Sequence, residues 1–255
     1  MHIGLFFLVV SIMLSLAGGG RLQDGARQHT QQPIVTGTSV LGIKYKGGVM
    51  LAADTLASYG SLARYKNVQR IKPVGVNTLV GASGEYSDYQ AVMEMLEQLH
   101  QEDVNFDDGH QRTPAEINSY LRAVMYQRRN KFNPLWNYLL IAGCSKDGSL
   151  FLGSVDHIGT AYEDDIICTG FGSHLAIPIL RKKWRKDMDE GEARALLEDC
   201  MRVLFYRDCR ALNHIQIAKA TSEGTVVSDP YTISTAWDLA SFSEPKAGMD
   251  TDGSW

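Results

Sequence analysis

Two short apolar runs, TSVLGIKY and VMLAAD, are joined only by KGG, and this pairing sets the first limit on how the chain can fold. Two strands with a glycine-rich joint make a hairpin, and hairpins build antiparallel sheets. TLVGAS (Thr78 to Ser83) adds another buried strand. NYLLIAG and SLFLGSV form a second hairpin around CSKDG, and HIQIAKA with GTVVS a third.

Helical segments lie between these strand blocks. Tyr89, Val92, Met93, Leu96 and Leu99 recur at helical spacing. Thr113-Pro114-Ala115-Glu116 is a capping box with proline at the first helical position, followed by Ile117, Leu121, Val124 and Met125 on one face. A third helix is predicted from about Ser173, with Pro178 inside its early turns. A fourth starts near Asp189, with Glu192 completing a capping box, and turns Leu196, Leu197, Cys200, Val203 and Leu204 inward. Strand blocks alternating with helix pairs favour antiparallel sheets covered by helices over a wound βαβ sheet. The reading is an α+β chain with a four-layer α-β-β-α sandwich in one domain. A length of 255 residues, 44% of them hydrophobic, supplies the core this requires.

The net charge of -4 gives no reason to expect a nucleic acid or an anionic membrane as partner. RKKWRK (Arg181 to Lys186) reads as a solvated helix end. Cys144, Cys168, Cys200 and Cys209 are far apart and the seven histidines do not join them at zinc spacing, so no metal or cofactor is expected. Thiols of this kind fit a reducing compartment, cytoplasm or nucleus. The apolar run IGLFFLVVSIMLSLAGGG points elsewhere: it has the form of a secretory signal without its basic start, and a removable leader competes with that reading. Residues 1–29 are taken as leader, 30–239 as the folded domain and 240–255 as a tail whose Phe242 and Trp255 could anchor to a partner.

Gly37-Thr38, AAD ending at Asp54, YGS around Gly60, GASGEYSD, NPLWN, TGFG and MRVLFYRD together resemble proteasome β subunits, from about residue 30 to 240. Active members of that family are N-terminal nucleophile hydrolases. They cut themselves after glycine, and the freed threonine attacks peptide carbonyls, with its α-amine able to accept the proton. A buried lysine, an orienting aspartate and a glycine N–H for the oxyanion complete the set. The resemblance puts Thr38 at the nucleophile, Asp54 at the orienting acid, Gly84 at the oxyanion glycine, Ser173 at the serine of the glycine-rich turn and Asp208 in the YRD motif.

Three departures follow. Arg70 stands where active subunits have lysine, and a guanidinium does not give up its proton as a desolvated amine can. Being larger and forked, it should not fit that slot without displacing Thr38 or Asp54. Ala211-Leu212-Asn213 replaces Ser-Gly-Gly after Asp208, which removes a hydroxyl and should restrict close backbone approach. HTQQPIVTG resembles a mature start several residues before the threonine, with cleavage between His29 and Thr30, which would leave Thr38 in a peptide bond.

The resemblance therefore implies a non-catalytic structural subunit of the 20S core particle, serving ubiquitin-dependent degradation. Its partners would be the other α and β subunits, with the tail reaching the opposite β ring. The alternatives are an active threonine endopeptidase using Thr38 and a secreted relative. Taken without the family, Asp54 is an acid ending a strand, Ser173 a helix cap, Asp208 an anchor of the fourth helix, and Trp136 and Trp237 packing residues.

Overall fold

All three expected hairpins form, and every strand pairing is antiparallel. The structure is a computed structural model that describes residues 32–237. The leader at 1–29, the His29–Thr30 junction and the tail at 240–255 lie outside the described residues.

The inner sheet is built on strands β2 (Val40–Tyr45) and β3 (Gly48–Asp54), with β11 (Ile166–Cys168), β12 (His214–Thr221), β13 (Gly224–Val227) and β14 (Tyr231–Thr232). Its order is β11-β2-β3-β12-β13, with β14 also on β12. The second sheet holds β1 (Val35–Gly37), β4 (Ala57–Tyr59), β5 (Leu62–Tyr65), β6 (Ile71–Val74), β7 (Thr78–Glu85), β8 (Asn137–Cys144), β9 (Leu150–Val155) and β10 (Ala161–Glu163). Its order is β10-β9-β8-β7-β1-β4-β5, with β6 also on β7.

Every position of β3 is buried, because this strand is covered on both faces. One face meets Leu79, Leu140 and Leu152 of the other sheet, a fully buried layer with Val49 and Leu51. The other meets helix α5 (Glu190–Arg207), whose Leu196, Leu197, Cys200 and Leu204 pack on Met50 and Ala52. On the outer face of the second sheet, helices α1 (Tyr86–Phe106) and α2 (Pro114–Asn130) bury Tyr89, Val92, Leu96, Ile117, Leu121 and Met125. Three apolar layers between four layers of backbone is the expected α-β-β-α sandwich. Burying each of these large aliphatic side chains is worth about 1.5–3 kcal/mol.

The expected third helix is interrupted. A single turn, α3 (Gly172–Leu175), gives way at Ala176 to α4 (Ile177–Lys183), whose first turn holds Pro178. Proline has no N–H to donate back to the carbonyl of residue 174, so the first piece ends and a second begins one residue later. Val203 also departs from expectation: it is half-buried and faces a surface groove, while its neighbour Leu204 enters the core. In RKKWRK the cations line the end of α4, but Trp184 donates its indole N–H to the Lys44 carbonyl at 2.7 Å and fastens the helix to β2.

Both capping boxes close. The Thr113 hydroxyl accepts the Glu116 N–H at 3.3 Å, and the Glu116 carboxylate accepts the Thr113 N–H at 2.7 Å. That backbone donor holds the Glu116 carboxyl below its usual pKa. Thr113→Ala is expected to cost about 1 kcal/mol, and Thr113→Ser much less. Urea denaturation of both variants checks this; equal midpoints would mean the cap is idle.

Candidate functional site

Thr38 lies between β1 and β2, inside the chain, with the residues before it sewn into the second sheet. Thr36 faces Ser58 of β4 on one side and Glu85 of β7 on the other, and Gly37 faces Gly84. The Glu85 carboxylate, itself buried, takes the N–H groups of Ile34 and Val35, the latter at 3.0 Å. Among the described strands, only β1 connects the β4–β5 hairpin to the rest of its sheet. Nothing in the sequence marks Glu85 for this task; its neighbour Gly84 draws the attention.

Arg70 is 2% exposed and sits behind Thr38. Its five N–H bonds are all used. Nε donates to the Asp54 carbonyl at 3.0 Å. Nη1 donates to the carbonyls of Thr38 at 2.9 Å and Ala82 at 3.1 Å. Nη2 donates to the Ser39 carbonyl at 3.0 Å and to the Asp54 carboxylate. A planar fork of donors suits this converging set of acceptors, whereas an ammonium has only three.

The guanidinium lies between Thr38 and Asp54 and bonds both residues, with Asp54 at the end of β3. Room comes from Gly37. A Cβ there would lie 2.5 Å from the Arg70 Cδ and 3.0 Å from its Nε. The Gly-Thr pair that suggests a cleavage site thus has a packing reason of its own.

Asp54 is 1% exposed. Burial pushes its carboxyl above the ordinary value, while Arg70 and the Leu212 N–H, which donates to it at 2.9 Å, pull it down. Leu212 thus brings its backbone N–H to Asp54 at a place where replacing glycine was expected to restrict close approach. A main-chain N–H needs no special side chain here, because the turn is set by the Ala211 N–H donating to the Asp208 carbonyl at 3.2 Å.

The Thr38 hydroxyl turns away from Arg70 and donates to the Asp208 carboxylate at 2.5 Å. Asp208 is the C-cap of α5, its N–H donating to Leu204 at 2.8 Å, and its carboxylate also takes the Arg210 N–H at 2.9 Å. It therefore both anchors the helix and holds Thr38.

An open pocket of about 240 Å³ lies here, lined by Thr38, Gly84, Tyr138, Phe171, Asp208 and Arg210 among others. Gly84 has φ +93°, and a Cβ on it would stand 2.1 Å from the Trp136 carbonyl oxygen. Ser173 is not brought to this pocket. It lies inside the first turn of α3, exposed, with its hydroxyl donating to the Gly170 carbonyl at 2.7 Å, and Phe171 takes the N-cap position expected of it.

TGFG does its work through other residues. The Thr169 hydroxyl accepts the Val40 N–H and the Ser39 hydroxyl accepts the Gly172 N–H, each at 2.9 Å, fixing the chain just after Thr38. Trp136 stacks on His157, and Trp237 packs edge-on against Tyr206 while remaining 60% exposed. All four cysteines are unpaired, three of them buried; burial pushes the Cys200 thiol up to about 12. Among the described residues no three His, Cys, Asp or Glu side chains gather as metal ligands, and no helix is long and apolar enough to cross a membrane.

The pocket therefore keeps a threonine, the buried Asp208 and a glycine at positive φ, with Asp54 behind them on Arg70. Behind the threonine stands a guanidinium, that of Arg70, which donates to the Thr38 carbonyl. Comparison with known proteins agrees with the architecture. The family model described as "Proteasome subunit" matches residues 34–220. The chain is 51% identical to "Proteasome subunit beta type-4" of Arabidopsis thaliana over 92% of its own length and 94% of that protein. Against the Xenopus laevis protein of the same name the identity is 47%, over 85% and 90% of the two lengths. Against "Probable proteasome subunit beta type-7" of Schizosaccharomyces pombe it is 45%, over 89% and 88%. With two antiparallel sheets sandwiched between helix pairs and these matches along most of its length, the chain belongs to the proteasome subunit family.

Proposed function

We propose that this chain is a non-catalytic β subunit of the 20S proteasome core, a wall and scaffold element of the particle that degrades ubiquitin-tagged proteins. One observation carries the reading: the strand before Thr38 is a structural member of the second sheet. Cutting between Gly37 and Thr38 would free β1, and with it the bond between the β4–β5 hairpin and β7. Without that cut Thr38 has no free amine. Arg70 supports the same conclusion, since a guanidinium rather than an amine stands here, fixed by its donation to the Thr38 carbonyl.

Under this reading the leader is removed between His29 and Thr30, upstream of the strand. The neighbours are other α and β subunits, and residues 240–255 reach the opposite β ring. Unpaired thiols suit assembly in cytoplasm and nucleus. The competing reading, a working threonine endopeptidase, draws on Thr38, Asp54, Gly84 and Asp208 standing around one centre.

Purified particles separate the two. The chain is expected to begin upstream of Thr38, to take no label at Thr38 from an epoxyketone probe, and to leave peptidase rates unchanged when Thr38→Ala is built in. That substitution removes one hydrogen bond to a carboxylate, about 1.5–3 kcal/mol of local stability and no chemistry. A mature start at Thr38 together with labelling there would establish the protease instead.

A further inference from the structure

Helices α4 and α5 leave a groove of about 540 Å³ on the surface, which shares no lining residue with the Thr38 pocket. Pro178, Ile179, Val203 and Tyr206 line it together with Lys182 and Arg202 and with Lys183 and Asp199, which pair with each other at 3.3 Å. Lys182 has no ion-pair partner among the described residues. Arg202 is already divided between Asp199 and the main chain.

The last described residues run along this edge. Arg202 Nε donates to the Ser234 carbonyl at 2.9 Å, and the Ala236 N–H donates to the Tyr206 hydroxyl at 2.7 Å. The Trp237 ring meets Tyr206 edge-on with centroids 5.0 Å apart. Arg202 and Tyr206 are thus shared between the departing chain and the groove. Beyond Trp237 follow eighteen residues, DLASFSEPKAGMDTDGSW, with four carboxylate side chains against one lysine and with Leu239, Phe242, Met249 and Trp255 among them. Phe242 is five residues past Trp237, a reach of about 17 Å in extended chain, which exceeds the roughly 8–10 Å between packed helix axes.

We propose that residues 238–255 of this same chain occupy the groove between α4 and α5, Phe242 lying against Pro178, Ile179 and Val203 and Glu244 meeting Lys182. The contact stands whether or not the chain enters a particle. Under the assembly reading, which it deepens, the seated tail is withheld from the opposite ring until that ring competes for it.

Zero-length carbodiimide crosslinking of the purified full chain, mixed as light and heavy isotope-labelled forms, tests this. The expected product joins Lys182 to Glu244 within one chain, at a yield independent of protein concentration. Phe242→Ala should lower that yield about tenfold, the factor expected from losing a buried phenyl ring. Absence of the product overturns the proposal, as does a light–heavy product that marks a second copy as the occupant. An undiminished yield in Phe242→Ala also overturns it, since charge alone would then explain the contact. Native electrophoresis of particles keeps the two readings apart. A chain that assembles but gives no product sinks only the cis contact, and one that gives the product but never assembles sinks only the subunit assignment.

Discussion

Arg70→Ala is expected to destabilise the full chain by about 3–5 kcal/mol, the range for stripping one partner from a buried ion pair. The loss falls in several places at once. The buried Asp54 carboxyl is left with only the Leu212 N–H as partner, and the carbonyls of Thr38, Ser39, Ala82 and Asp54 lose a donor. Arg70→Lys should cost less, because three ammonium donors can answer the carboxylate and two carbonyls, and it should not create a protease while Thr38 keeps its amide. Combining Asp54→Asn with Arg70→Met removes both charges and should recover part of the loss, leaving the orphaned carbonyls as the remainder. Urea denaturation followed by tryptophan fluorescence reads all three. If Arg70→Ala unfolds with the midpoint of the parent, the guanidinium is a passenger and not the node that joins the two sheets.

Gly84→Ala should be nearly as damaging although it adds a single methyl group. The backbone at Gly84 has φ +93°, where an L side chain is strained by about 1–2 kcal/mol. The new carbon would also overlap the Trp136 carbonyl oxygen, a main-chain atom that cannot swing away. Overpacking of this kind costs about 1–3 kcal/mol more. Relief requires β7 to part from β8 near Asn137, which shifts it against its other neighbour, β1 at Gly37, and disturbs the strand that holds Thr38. Proton exchange at the Gly37 and Thr38 amides should therefore rise with the loss of stability. A Gly84→Ala chain as stable as the parent would show that the backbone there adapts freely.

The hairpins, both capping boxes and the helix faces were legible because each is a local pattern: alternation, a reciprocal pair three residues apart, a repeat near 3.6. The layer order followed from their sequence. Strands without such a pattern stayed hidden. β5 is exposed at all four positions, so nothing alternates, and β6 carries Pro73, which reads as a break and is tolerated because β6 pairs on one side only.

At the candidate site, the family pattern picked out Thr38, Asp54, Arg70, Gly84 and Asp208, and the fold brings them together. It could not show that the Thr38 hydroxyl faces Asp208, a partner 170 residues away. Nor could it show Glu85 holding β1 or Gly37 making space for Arg70, because both depend on which strands become neighbours. Ser173 had the right neighbours in sequence and the wrong ones in space: its own turn consumes the hydroxyl.

Strand β3, near the start, lies against β12, which covers residues 214–221, and their seven-residue register is the spine of the inner sheet. A ribosome must therefore deliver most of the polypeptide before that sheet can close. Until then the faces of β3 that end up covered on both sides stay bare, along with the helices that will lie on them. Such long-distance pairing slows folding and lengthens exposure to aggregation. Aggregation of newly made chains should consequently compete with closure of this sheet for as long as residues 214–221 are still to be delivered.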